Sequence, residues 1–132
     1  MCTTKNREYA DFAKNVGRYY RQAEYQKSVF GKYNLSEISG GTIPADLDEE
    51  KVIGDFLKGV ENLKKYPSKK SNLYYKLIQG KCIKSDATIE MLSEDNMISA
   101  SMVYRRLQEA FAIIGEYMAK NGSMGGICHV EN

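Results

Sequence analysis

The sequence predicts an all-α fold, a small bundle of about five helices whose C-terminal part is a helix-turn-helix. Three observations carry this. Apolar residues recur at steps of three and four over most of the chain, the spacing that lines one face of a helix. Breaks such as Gly40-Gly41, Pro44, Pro67 and Gly80 separate these stretches, and capping residues open them. No segment alternates apolar and polar residues at the period of two that a half-buried strand needs.

The first helix is expected over residues 6–33, where Tyr9, Phe12, Ala13, Val16, Tyr20, Ala23 and Phe30 form an apolar stripe. No proline interrupts it, while Gly17 and Gly31 weaken it. Tyr19, Tyr25 and Tyr33 fall off the stripe or beside it, where they either cover a small core or offer a partner surface. Residues 34–47 read as a loop. Its Gly40-Gly41 pair lacks the lysine and further glycines of a phosphate cradle. The second helix begins at Asp46 or Asp48, either of which can cap free amides, with Glu49 and Glu50 at its positive end. Ile53, Phe56, Val60 and Leu63 form its core face, Lys64 and Lys65 suit its last turn, and Pro67 stops it. A third helix over 69–80 turns Leu73 and Leu77 inward, with Tyr74 and Ile78 beside them, before Gly80 ends it.

The fourth helix starts at Ser85 or Asp86 and runs to Glu94; the fifth starts at a Ser99 cap and runs to Lys120, where Asn121-Gly122 terminates it. Residues 85–120 thus make the helix-turn-helix, with Ile89, Leu92, Ile98, Val103, Leu107 and Ala110 as its shared core. Ile114 and Met118 continue that face toward the bundle. Asp95 or Asn96 is expected in the left-handed turn position, which both tolerate better than most residues. The chain therefore divides into a long helix and its Gly/Pro loop (1–47), a helical domain holding the helix-turn-helix (48–121) and a patternless flexible tail (122–132).

Bulk properties bound the function. A chain of 132 residues with 42% apolar and 27% charged residues supports one compact domain. No apolar run is long enough to span a bilayer and the N-terminus lacks a signal-peptide core, so a cytoplasmic protein is expected, without a membrane partner. Cys2, Cys82 and Cys128 are too few and too scattered for a disulfide framework or a zinc module, and read as reduced thiols. Net charge is only +2, but it is uneven: residues 1–63 hold nine Lys/Arg against ten Asp/Glu, residues 64–132 ten against seven. Seven lysines and no acid lie between Glu61 and Asp86, a run that can follow phosphates or simply form a solvated surface.

On the last helix, with Val103, Leu107, Ala110 and Ile114 inward, the opposite face presents Ser101, Arg105 and Gln108, with Tyr104 beside them. This set has the chemistry of base contact: Arg pairs with guanine, Gln with adenine, and Ser or Tyr donates to phosphate. Arg106 on the flank, with Lys81 and Lys84, is expected at phosphates. Glu109 and Glu116 would repel a backbone, which confines contact to the first two turns. The segment YRRLQEAFAIIGEYM, after a short helix and the turn ISAS, resembles the end of phage-encoded transcriptional regulators of the ArpU type, themselves similar to the promoter-reading C-terminal domain of sigma factors. Length, order and spacing match over about residues 48–119, most strongly over 71–119. The resemblance implies control of phage or prophage genes by binding double-stranded DNA, with RNA polymerase as a further partner. Met97 stands where that family has Gly, and Asn96 where it has an apolar residue.

No catalytic residues, metal site or cofactor are expected. His129 is the only histidine and has just Cys128 beside it, too small a set for a metal or a nucleophile. Glu49, Glu50, Asp55 and Glu61 share one helix, whereas carboxylate metal sites draw acids from several. The alternative reading is a non-enzymatic helical protein-binding module, such as a phage inhibitor or immunity-type protein, whose Tyr-rich N-terminal helix binds a partner or a second copy of the chain.

Overall fold

The computed structural model describes residues 3–123. It is all-helical, with no strand among those residues. Six α-helices follow one another: α1 (Thr3–Phe30), α2 (Leu35–Ile38), α3 (Glu49–Asn62), α4 (Ser71–Ile78), α5 (Ile89–Asn96) and α6 (Ala100–Lys120). A 3-10 turn at Leu63–Lys65 extends α3, and a π-helical turn at Gln79–Ile83 extends α4.

The two long helices organise the core. Tyr9 of α1 lies against Gly115 of α6, Gly17 against Phe111, so the helices run antiparallel. The expected α1 stripe is inward at Tyr9, Phe12, Ala13, Val16 and Ala23, with Tyr20 partly so, but Phe30 is 70% exposed. Phe30 is the last helical residue, because Gly31 takes a left-handed conformation (φ +80°) and its amide donates to the carbonyl of Lys27. On α3 and the 3-10 turn after it all four expected core residues, Ile53, Phe56, Val60 and Leu63, are buried. Asp48 caps that helix by accepting from the Lys51 amide at 3.2 Å.

The segment read as a loop contains the one-turn helix α2. Asn34 caps it, Glu49 accepts from the Leu35 amide at 2.6 Å, and Leu35 and Ile43 are fully buried. Gly80 does not end the third helix. It lies inside the π-helical turn, where an added Cβ would stand 2.9 Å from Leu92 Cδ2, so its role is close approach to α5. Neither Ser85 nor Asp86 opens the next helix: the Ser85 hydroxyl donates to the Gly80 carbonyl at 2.8 Å, and Thr88 caps α5 by accepting from the Met91 amide. Gly122 takes the left-handed conformation (φ +80°) and closes α6 after Asn121 as expected. Ser123, assigned to the tail, joins that closure, since both the amide and hydroxyl of this buried residue donate to the Met118 carbonyl. Residues 124–132, including Cys128 and His129, lie outside the described residues, as does Cys2.

Between α5 and α6 the left-handed residue is Met97 (φ 57°), not Asp95 or Asn96. The Asn96 side chain instead donates to the Leu92 carbonyl at 3.0 Å, within the helix. Met97→Gly is expected to stabilise the fold by about 1 kcal/mol, because the left-handed conformation costs an L-residue roughly 1–2 kcal/mol and glycine's larger unfolded-state entropy returns part of that. Met97 is 91% exposed, so no packing is lost. A melting temperature that falls on this substitution contradicts the turn geometry.

Candidate nucleic-acid interface

Helix α6 begins at Ser99, whose hydroxyl accepts from the Met102 amide at 3.2 Å. Its inward face is the expected one: Val103, Leu107, Ala110, Ile114 and Met118 are buried, joined by Phe111. Three residues, 97–99, link it to α5, and Ile89 and Ile98 are partly buried against the core beside buried Leu92. The four residues expected at a groove, Ser101, Tyr104, Arg105 and Gln108, are all exposed. Arg105 makes no side-chain hydrogen bond or ion pair among the described residues, and Tyr104 is 62% exposed. The ridge Ser101–Arg105 has α1 on one flank and α4 on the other, the latter through Tyr74.

The three expected phosphate contacts divide. Lys84 is exposed. Arg106 is turned to the α4 flank: its side chain is 11% exposed, and one guanidinium nitrogen donates to both oxygens of Glu109 at 2.8 and 2.9 Å. Lys81 pairs with Asp86 at 3.1 Å and donates to the Ala87 carbonyl at 3.2 Å, bracing the chain between α4 and α5. In this arrangement Arg106 and Lys81 are engaged within the fold, and among the described residues Lys84 is the one of the three whose side chain makes no ion pair.

Glu109 also accepts from the Tyr74 hydroxyl at 2.7 Å. Burial works to raise its pKa, but the bonds from Tyr74 and Arg106 outweigh that and hold the carboxyl below its usual range. Burial first, and then the bond to Glu109, pushes the Tyr74 phenol from 10.0 up to about 12. The neutral phenol is therefore the form the fold prefers. Its contribution to stability is complete below about pH 10 and is lost as the pH rises toward about 12. Tyr74→Phe is expected to cost roughly 1–2 kcal/mol at neutral pH and to flatten the alkaline fall in melting temperature. Melts across that range check it; an unchanged alkaline slope contradicts it.

Sequence reading missed the other wall of this region. Lys14, Arg18 and Arg21 lie on one stripe of α1 and face a cavity of about 620 Å³, whose opposite rim is Tyr104 and Gln108. The signal was present as three cations at i, i+4 and i+7, which share a helix face. Leu107, Phe111 and Cys82 form the floor. Burial pushes the Cys82 thiol up to about 12, which keeps it protonated and unreactive at neutral pH. The backbones of α1 and α6 approach closely at Tyr9 and Gly115, and the cavity lies toward the start of α6, where Tyr104 and Leu107 line it.

The flank of α5 has the opposite sign: Glu90, Glu94 and Asp95 are exposed and the helix carries no cation. Among the described residues no three His, Cys, Asp or Glu side chains are grouped to hold a metal ion, and no helix is long and apolar enough to cross a membrane. No protein-family model, curated protein or solved structure matches this chain.

Proposed function

We propose that this protein is a DNA-binding transcriptional regulator, of phage or prophage type, that seats the first turns of α6 in the major groove. The observation that supports this is the exposure of Ser101, Tyr104, Arg105 and Gln108 on a Ser99-capped helix start, with no carboxylate paired to Arg105 among the described residues. Arg105 and Gln108 address base edges, Ser101 and Tyr104 the edges or the adjacent phosphate, and Lys84 a phosphate. The acidic face of α5 points contact away from that helix, so the footprint is small. Binding of a labelled mixed-sequence duplex, followed by fluorescence anisotropy, is expected to weaken with salt at a logarithmic slope of roughly −2 to −4, about −0.9 for each phosphate engaged. Salt-independent binding, or none at low salt, counts against the reading.

A specific observation favours a second reading. Tyr25, Val29 and Phe30 are 72%, 52% and 70% exposed at the end of α1, an apolar cluster left uncovered by the described residues. Tyr19 and Tyr33 take the core-covering alternative: both are partly buried against the core, and the Tyr33 hydroxyl donates to Glu24 at 2.6 Å. The partner proposed for this cluster is a second copy of the chain, whose equivalent patch would cover it across a two-fold axis. Sedimentation separates the possibilities. A concentration-dependent dimer abolished by Tyr25→Ser with Phe30→Ser supports self-association, and a monomer at all concentrations removes it.

A further inference from the structure

We propose that the cavity between α1 and α6 is a binding site for a nucleotide, a ligand that joins a planar ring to phosphates. The lining is divided by chemistry in a way that neither a bare anion nor a purely apolar ligand would use. Lys14, Arg18 and Arg21 supply three positive charges with no carboxylate partner among the described residues, while the one acid present, Asp86, is already paired with Lys81. Arg21 is held in place for this task. Its Nη1 donates to the carbonyls of Ile83 at 3.3 Å and Lys84 at 2.8 Å, which fixes the guanidinium and leaves its other nitrogens for phosphate oxygens.

Across from the cations the lining includes apolar and aromatic side chains. Leu107 and Phe111 form a floor, and the Tyr104 ring stands at the rim where a base can stack. Gln108 adds a side-chain amide, the group that pairs with two edge atoms of adenine. A cavity of about 620 Å³ lies within the range typical of small-molecule sites, about 300–1,000 Å³. The site stands on α1 and does not require α6 to read DNA. It does share Tyr104 and Gln108 with the face assigned to DNA, so a bound nucleotide would withdraw both from a duplex.

Isothermal titration of the full chain with ATP, pyrophosphate and adenosine, in the absence of DNA, tests this. ATP is expected to bind one-to-one, with pyrophosphate and adenosine each weaker by about tenfold or more, because each lacks half of the contacts. Lys14→Ala and Arg18→Ala should each weaken ATP about tenfold, the loss of one charge-assisted contact, while Lys58→Ala on α3 leaves it unchanged. Lys14, Arg18 and Lys58 are exposed, so melting curves should stay at the parent value. The proposal is overturned if ATP gives no binding, if it binds no tighter than pyrophosphate, or if folded Lys14→Ala and Arg18→Ala proteins bind it as the parent does. Because DNA is absent throughout, failure here is distinct from failure of the DNA reading.

Discussion

Gly115→Ala is expected to destabilise the fold by about 3 kcal/mol or more, the upper end of overpacking effects. A Cβ at this position would stand 2.1 Å from the carbonyl oxygen of Tyr9 and 2.4 Å from its carbon. Both are backbone atoms of α1, so relief requires lifting one long helix off the other and opening the core around Ile114 and Phe111. Intrinsic propensity predicts the reverse, since alanine is favoured over glycine in a helix interior by about 1 kcal/mol. The sign of the change therefore decides which effect dominates. Gly54→Ala on α3 is the control: nothing lies within 4 Å of its added Cβ, and it should hold or raise stability. Urea unfolding of the two variants measures this. A Gly115→Ala protein as stable as the parent would mean that α1 does not lie on α6 at Tyr9.

Arg105→Ala is expected to reduce affinity for a preferred duplex by roughly 5- to 150-fold, the equivalent of the 1–3 kcal/mol carried by one bidentate base contact. The side chain is exposed and makes no ion pair among the described residues, so circular dichroism and melting should match the parent. Preference at one base position should relax while weak binding to unrelated sequences persists. Lys84→Ala should behave differently, weakening all duplexes alike and lowering the salt slope by about one. Competition titrations with the preferred and a scrambled duplex distinguish the two patterns. Equal losses on both duplexes for Arg105→Ala would assign it to phosphate instead of to a base.

What could be read from the chain was what local chemistry decides. Ser99, and Asp48 as one of two candidates with Asp46, were legible as caps because a short side-chain acceptor before an apolar-periodic run can satisfy a free amide, and both accept one. The inward faces of α3 and α6 followed from spacing alone. The glycines misled. Read as weakeners or terminators, Gly17 and Gly80 instead mark points where helices meet: a Cβ on Gly17 would lie 2.9 Å from Cys82 Sγ, one on Gly80 2.9 Å from Leu92 Cδ2. Nothing in the sequence distinguishes a glycine that ends a helix from one that lets a neighbour approach. Helix α2 was illegible because four residues are too few to show a period, although Leu35 and Ile43 within and after it are fully buried.

The same limit applies to the candidate site. Ser101, Tyr104, Arg105 and Gln108 could be placed on one side of α6 from its core positions, and their exposure agrees. The pairing of Arg106 with Glu109 was open to sequence reading, since residues three apart are neighbours on a helix, but the bond that Tyr74 brings to Glu109 from α4 was not. Nor was the cationic wall of α1, whose three side chains gain meaning only once the antiparallel packing sets them across a cavity from Tyr104.

Selection of bound fragments from a random duplex pool, run in parallel with the parent and Arg105→Ala proteins, probes the exposed start of α6 most directly. The parent should enrich one short motif containing a guanine, and the variant should lose enrichment at that guanine while still recovering DNA at low salt. Recovery of an unenriched pool by the parent, or the same motif at the same strength from both proteins, would contradict a DNA-reading role for this helix.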